Sequence, residues 1–392
     1  MDVQALRAQT PGCIHVTHFN HAGASLMPQP VLDVVVDHLR REANIGGYEA
    51  ADEAEPRLEA VYDSVARLIN AGRDEIAIVE NATRAWDMAV YGLLLGPGDR
   101  VLTSMAEYAS NIIALLQIAK RGISIEVVPN DESGQLSVSA LAEMLDDRVK
   151  LVAVSHMPTN GGLVQPAAEI GELTRAHGAI FVLDACQSVG QFPIDVQAIG
   201  CDVLSATSRK YLRGPRGVGF LYMKRDLLLS FEPPFLDLHA ANWVANDAYE
   251  IRPDARRFEN WERDVAGMLG LGEAVDYALE LGVEPIWARV AALAATLRSR
   301  LAEIPGVTIQ DIGQTKSGIV TFTVDGHEAP KIQNALHSQQ INVTISTLDS
   351  SRFDMGARSL DRIVRASVHY ITTDEEIDLL CAAVKKLAVK TG

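Results

Sequence analysis

Apolar residues recur at helical spacing over 31–42 and again over 57–69, and Pro30 and Pro56 suit the first turns that precede them. The pattern predicts two amphipathic helices. Between them, Asn44-Ile-Gly-Gly-Tyr-Glu-Ala-Ala-Asp52 joins a Gly pair to an aromatic and several acids, a composition that reads as a loop. From Glu75 the period changes. Short apolar runs at 76–78, 100–103, 123–128, 151–155 and 180–184 alternate with helical stretches at 84–94, 111–120, 138–145 and 168–177. This alternation predicts an α/β fold whose mostly parallel sheet is covered by helices on both faces.

After Trp261 the character shifts to two long helices over 265–281 and 285–304. Strands at 307–310 and 318–324, a helix near 330–337, strands at 342–345 and 363–367, and a final helix from Asp374 follow. The expected organisation is a large domain over 16–264 and a smaller α+β domain over 265–392, with residues 1–15 packed on the smaller one.

Composition then narrows the classes of function. The chain has 392 residues, 35 basic against 51 acidic, and a formal charge of −16, which repels phosphate backbones and anionic lipid surfaces. A nucleic-acid partner is therefore not expected. Cys13, Cys186, Cys201 and Cys381 form no C-x-x-C pair, so neither a disulfide framework nor a zinc or other metal site is signalled. Scattered cysteines fit a reducing compartment, and no apolar run approaches membrane-spanning length. The expectation is a soluble cytoplasmic protein with no membrane partner.

The chemistry gathers in a few segments. In Leu204-Ser-Ala-Thr-Ser-Arg-Lys-Tyr-Leu-Arg-Gly-Pro-Arg-Gly-Val-Gly219, Lys210 stands between hydroxyl residues and a turn rich in Gly, Pro and Arg. Arg209, Arg213 and Arg216 disfavour a protonated amine, which helps an imine form, while Thr207, Ser208 and Arg209 could converge on a phosphate. Asp184 ends the run Ala179-Ile-Phe-Val-Leu183, at the carboxyl edge of a buried parallel strand where open α/β sheets bind ligands. An acid there either caps a turn or keeps a pyridine nitrogen protonated; Gln187 could donate to a phenolic oxygen beside it. Asn81-Ala-Thr-Arg84 opens a helix after a strand, so backbone N–H groups around Ala82 and Thr83 form an anion-binding terminus or an ordinary N-cap. Tyr108 follows the strand ending at Thr103 and could lay its ring on a pyridine face. Arg365, in Ile363-Val-Arg-Ala-Ser-Val-His369, is out of place on an apolar strand unless it binds a carboxylate or faces water from an edge. A lysine, a ring-nitrogen acid and a phosphate cradle together suggest pyridoxal phosphate (PLP).

Taken together these segments resemble the class V aminotransferase family of fold-type I PLP enzymes. The resemblance implies a seven-stranded sheet, a Schiff base on Lys210, and contacts from Asp184 and Gln187 to the ring nitrogen and phenolic oxygen. It places Thr83, Thr207 and Arg209 at the phosphate, and Arg365, before Ser367, at the substrate carboxylate. Cysteine desulfurases of this family stack a histidine where this chain has Tyr108, and carry a nucleophilic cysteine in the region matched by 346–355, which here has none. The chain is most similar to the branch of cysteine S-conjugate C–S lyases and hercynylcysteine sulfoxide lyases, through Gly46-Gly-Tyr-Glu-Ala50, the Lys210 segment and 360–370. That resemblance implies Cα deprotonation by Lys210 and β-elimination, giving a sulfur product, pyruvate and ammonia. Transamination, decarboxylation and epimerisation are the alternatives on the same scaffold, with Tyr48, Asn111 and Asn160 among the side chains placed to choose between them. It also implies a homodimer, in which Asn260 or Trp261 reaches the neighbouring subunit's phosphate. A nicotinamide site is disfavoured, because Gly214-Pro-Arg-Gly-Val-Gly219 precedes a strand rather than opening a helix. A non-catalytic binding module would not need Lys210, Asp184, Gln187 and Arg365 intact.

Overall fold

The structure, a computed structural model, describes residues 1–388. Its centre is a seven-stranded sheet built from β1 (Ile76–Val79), β2 (Arg100–Ser104), β3 (Ser124–Val128), β4 (Val149–Ser155), β5 (Ile180–Asp184), β6 (Val203–Thr207) and β7 (Gly219–Met223). Their order in space is β1-β7-β6-β5-β4-β2-β3. Only β7 runs against its neighbours; the other pairings are parallel. The sheet is mostly parallel, as the pattern predicts.

Both faces of this sheet are covered, and the strands alternate between two apolar cores accordingly. Phe181 and Leu183 enter one core with Val152, Val154, Leu204 and Phe220, whereas Val182 enters the other with Leu151, Ala153 and Val203. Helices Ala82–Gly92, Ala109–Ala119, Val138–Met144 and Ala167–His177 connect the strands. After β2 the chain moves outward to β3, then returns to the other side of β2 for β4, β5 and β6. That reversal opens a crevice at the carboxyl ends of β2, β4 and β5, where such sheets bind ligands.

A second sheet, antiparallel throughout, contains β8 (Val307–Ile309), β9 (Ile319–Val324), β10 (Thr344–Thr347) and β11 (Arg362–Ser367) in the order β8-β9-β11-β10. β11 is interior, so Arg365 lies between Thr321 and Thr344 rather than on an edge facing water. The N-terminal segment is tied to this part of the chain. Thr17 and His18 pair in parallel with Ile341 and Asn342, and Arg7 meets Glu376 at 2.9 Å.

Two local expectations need correction, and Pro56 is one: it lies inside the helix Gly47–Ile69, not in its first turn. The segment 44–52 is not a loop: one helix ends at Ile45 and the next, Gly47–Ile69, begins after Gly46 alone. Gly46, at φ +106°, makes the whole turn, because a residue without a Cβ reaches that region cheaply. Ala50, Ala54 and Leu58 then form a buried helical face that outweighs the Gly pair. Missing from the sequence reading is the hairpin of Ala241–Ala245 and Ala248–Ile251, whose residues are mostly exposed.

Candidate active site

The crevice at the sheet edge narrows to a cavity with Lys210 on its wall. Lys210 follows β6 after Thr207, Ser208 and Arg209, in a turn held by hydrogen bonds from Arg213 N to Lys210 O and from Gly214 N to Ser208 O. Arg213 is fully buried at φ +62° and spends its guanidinium on Leu26 O, Thr10 and Tyr370 Oη, which pins the turn from behind. Burial holds the Lys210 ammonium below its ordinary pKa; Cys186 and Asp184 oppose this, and Arg209 and Arg365 add to it. The amine therefore sheds its proton more readily than a surface lysine.

Asp184, Cys186 and Gln187 face Lys210 across the same cavity. Asp184 ends β5 and is buried; its Oδ2 accepts from Asn111 Nδ2 at 2.9 Å and its Oδ1 from Cys186 N at 2.9 Å. Gln187 donates through Nε2 to Ala22 O at 3.0 Å, while its buried Oε1 has no partner. Tyr108, 40% exposed, stands at the N-cap of Ala109–Ala119 and lines the cavity beside Asn111.

The opposite wall is the N-terminus of Ala82–Gly92. Asn81 Oδ1 takes the Arg84 N–H at 2.9 Å, so the N–H groups of Ala82 and Thr83 are left for the cavity that both residues line. Gly219, paired with Thr207, permits this approach: a Cβ there would lie 2.4 Å from Ala206 O and 3.4 Å from Ala82 N. Thr207 and Arg209 do not themselves line the cavity: Arg209 NH1 donates to Gly23 O and forms no ion pair among the described residues, and Ser208 Oγ donates to Pro215 O.

Arg365 is buried without a carboxylate partner. Its NH1 donates to Thr159 O at 3.2 Å and to Thr159 Oγ1, its NH2 to Asn20 Oδ1 at 3.3 Å, and its Nε has no partner. Burial lowers its pKa to about 10. A guanidinium held this way costs free energy until an anion reaches it.

Not every residue singled out in the sequence reaches this cavity. Asn160 turns toward Asp354, donating to Oδ2 at 2.9 Å. Tyr48 and Trp261, 73% and 52% exposed, line a separate cleft with Glu42, Asp52 and Arg263. Asn111 lines the cavity, but its amide points to carboxylates beneath, Asp184 and Glu107. Glu107 is the residue that sequence reasoning missed. It is fully enclosed, accepts from Tyr108 N, Asn111 Nδ2 and Ser155 N, and burial pushes its carboxyl up to about 7. Its position three residues beyond β2, on the same sheet edge as Asp184, was the available signal.

The arrangement offers an amine for an aldehyde, a buried carboxylate for a ring nitrogen, and a helix terminus for a phosphate. Gln187 Oε1 and Arg365 Nε have no partner among the described residues, a polar capacity left for a ligand. These residues fit PLP. The class V aminotransferase family model matches residues 17–380. The chain belongs to the class V aminotransferase family. As a member of that family it is a PLP-dependent enzyme of fold type I, and its relatives are carbon–sulfur lyases.

A protein named "Probable cysteine desulfurase" from Methanothermobacter thermautotrophicus is 29% identical over 99% of this chain and 98% of its own length. Among solved structures, the apo cysteine desulfurase of Thermococcus onnurineus superimposes with a TM-score of 0.93 at 25% identity, covering 99% of this chain and 98% of that one. The cystine C–S lyase C-DES, in complex with its product cysteine persulfide, superimposes at 0.87 with 26% identity, over 96% of this chain and 99% of that one. This class V chain thus shares its architecture with desulfurases and with a cystine C–S lyase.

Proposed function

We propose that the chain is a C–S lyase that takes a cysteine S-conjugate, or its sulfoxide, and eliminates the sulfur substituent from Cβ. The observation that carries this reading is the state of the thiols. The 346–355 region, matched in desulfurases to a nucleophilic cysteine, contains Ser346, Ser350 and Ser351 but no cysteine. Cys186 does line the cavity, yet burial and the adjacent Asp184 push its thiol well above the ordinary cysteine range. A thiol held protonated is a poor sulfur acceptor.

Each residue then has a defined task. PLP, when bound, supplies an electron sink for the charge developed at Cα. Arg365, which makes no ion pair among the described residues, would hold the substrate carboxylate and so fix the Cα–H bond relative to Lys210. Lys210 would remove the Cα proton; burial lowers its pKa from the ordinary lysine value, which favours the free amine a base needs. Asp184 would keep a proton on the ring nitrogen. Tyr108 would pack against the ring, and Thr83, Thr207, Arg209 and the N–H groups at Ala82 would hold the phosphate. Water completes the balance: the S-conjugate and water give thiol, pyruvate and ammonium, and the sulfoxide gives a sulfenic acid in place of the thiol.

A homodimer belongs to the same reading. Trp261 and Tyr48 lie on the chain's surface away from Lys210, which supports a role for Trp261 at the partner's phosphate instead of its own. Light scattering of the holoenzyme is expected to give twice the chain mass; a monomer that turns over substrate contradicts it.

Product analysis tests the reaction. Incubated with an S-alkylcysteine, the holoenzyme is expected to release thiol and pyruvate in equal amounts. Alanine formed from free cysteine, with no pyruvate from the S-alkyl substrate, would establish desulfuration instead; an amino-acid product that keeps its C–S bond would indicate transamination, decarboxylation or epimerisation.

A further inference from the structure

We propose that Glu107 is a positioning residue for the ring-nitrogen acid: through Asn111 and Ser155 it fixes the Asp184 carboxyl in the orientation the bound cofactor needs. This inference rests on the assignment of Asp184 to the ring nitrogen. Two carboxyl groups buried behind one cavity are costly, and nothing in the reaction as written uses the second. The structure shows what it does. Asn111 Nδ2 bridges the pair, 2.9 Å from Glu107 Oε1 and 2.9 Å from Asp184 Oδ2. Ser155 Oγ bridges it again, donating to Glu107 Oε1 and lying 3.4 Å from Asp184 Oδ2.

Glu107 is itself held by main chain that cannot move independently. Ser155 N, at the end of β4, donates to Oε2 at 2.7 Å, and Tyr108 N donates to Oε1 at 3.0 Å. Ser104 Oγ, at the end of β2, lies 3.5 Å from Oε2. The carboxyl therefore ties three sheet-edge elements, β2, β4 and the start of Ala109–Ala119, to the Asp184 carboxyl at the end of β5. Of the groups packed against it, Ser104, Ser155, Asn111 and the Tyr108 amide are neutral, and Asp184 is the other acid. Burial first, and then Asp184, push Glu107 up to about 7 against the hydrogen bonds from Ser155 and Asn111.

A purely structural carboxyl would affect folding alone. A positioning carboxyl must also change how the chromophore titrates, because it changes the field that Asp184 presents to the ring. The test uses PLP-loaded Glu107→Gln, Ser155→Ala and Asp184→Asn, each measured for kcat, KM, thermal midpoint and the pH titration of the bound cofactor's absorbance. Glu107→Gln puts an NH2 group against backbone donors; Ser155→Ala removes only the bridging hydroxyl and covers the case where Glu107→Gln does not fold. Both are expected to lower kcat about tenfold, in the range that supporting residues behind a reactive group typically show. Both are expected to shift the chromophore's titration in the direction that Asp184→Asn does, with KM, set by Arg365, within about twofold of the parent. Wild-type kcat and titration in both variants, beside a shifted Asp184→Asn, overturn the role of Glu107 and leave that of Asp184 standing. An unshifted Asp184→Asn overturns the ring-nitrogen assignment and this inference with it.

Discussion

Two buried polar clusters share the large sheet, and they differ in how their charges are satisfied. Glu259, almost fully enclosed, takes two contacts at 2.9 Å from Tyr62 Oη, one at 2.7 Å from Ile78 N, and His239 and Arg263 at 3.2 and 3.4 Å. Both oxygens of that carboxylate have donors within the chain. At the cavity the balance is reversed: Lys210, Arg209 and Arg365 form no ion pair among the described residues, and Arg365 Nε has no partner. The first cluster is complete without a ligand and holds elements together. The second is incomplete, with cations that lack ion pairs and with Arg365 Nε and Gln187 Oε1 unpartnered among the described residues, and an anionic cofactor with an anionic substrate would complete it.

The largest expected effect comes from removing the amine. Lys210→Ala should lower kcat by at least about 10³-fold, as loss of a general base does, and abolish the colour of the bound cofactor. Retained turnover and colour would mean the amine lies elsewhere. Next is the carboxylate site, where Arg365→Ala should cost roughly 2–5 kcal/mol in kcat/KM, appearing mainly in KM, with Arg365→Lys intermediate because it keeps charge but loses the planar fork. A KM unchanged by both substitutions contradicts the assignment.

Glu259 should respond in the opposite manner. Glu259→Gln is expected to lower unfolding stability by about 1–3 kcal/mol, since an amide cannot accept from all of those donors, with kcat of the folded variant near that of the parent. Denaturant titration measures the first and steady-state kinetics the second; a kinetic defect without a stability loss would erase the distinction between the clusters. The smallest effect concerns His21 and His369, whose rings pack 5.0 Å apart behind the Lys210 turn. Burial holds both well below the ordinary imidazole range. They are neutral when folded, so stability is full above about pH 6.5 and is lost as pH falls below it, where unfolded imidazoles protonate. Urea midpoints at pH 7.5 and 5.5 should show this decline, shallower in His369→Asn; a midpoint that rises on acidification contradicts it.

Much of the sheet was legible because buried parallel strands are short apolar runs between helical stretches, and each run from Ile76 to Asp184 became a strand. Asp184 and Arg365 were legible for a related reason: each is a charge where the pattern demands an apolar residue. Lys210 stood out through its neighbours. Glu107 did not, because an acid before Tyr108 reads as solvated loop, and its burial depends on Ser155, 48 residues away. Tyr48 and Asn160 show the same limit, since side-chain direction in loops and helix starts is set by tertiary contacts. The hairpin at 241–251 carried a faint local signal, Asn246-Asp247 between Trp243 and Tyr249, but exposed strands lack the burial pattern that marks the rest.

The central claim is that Lys210 carries the cofactor. Reducing the holoenzyme with borohydride fixes an imine as a stable secondary amine, and peptide mass spectrometry then locates it. A pyridoxyl phosphate adduct on the peptide containing Lys210, absent after Lys210→Ala, is the expected result. An adduct on another lysine, or none from a yellow and active enzyme, would contradict the account.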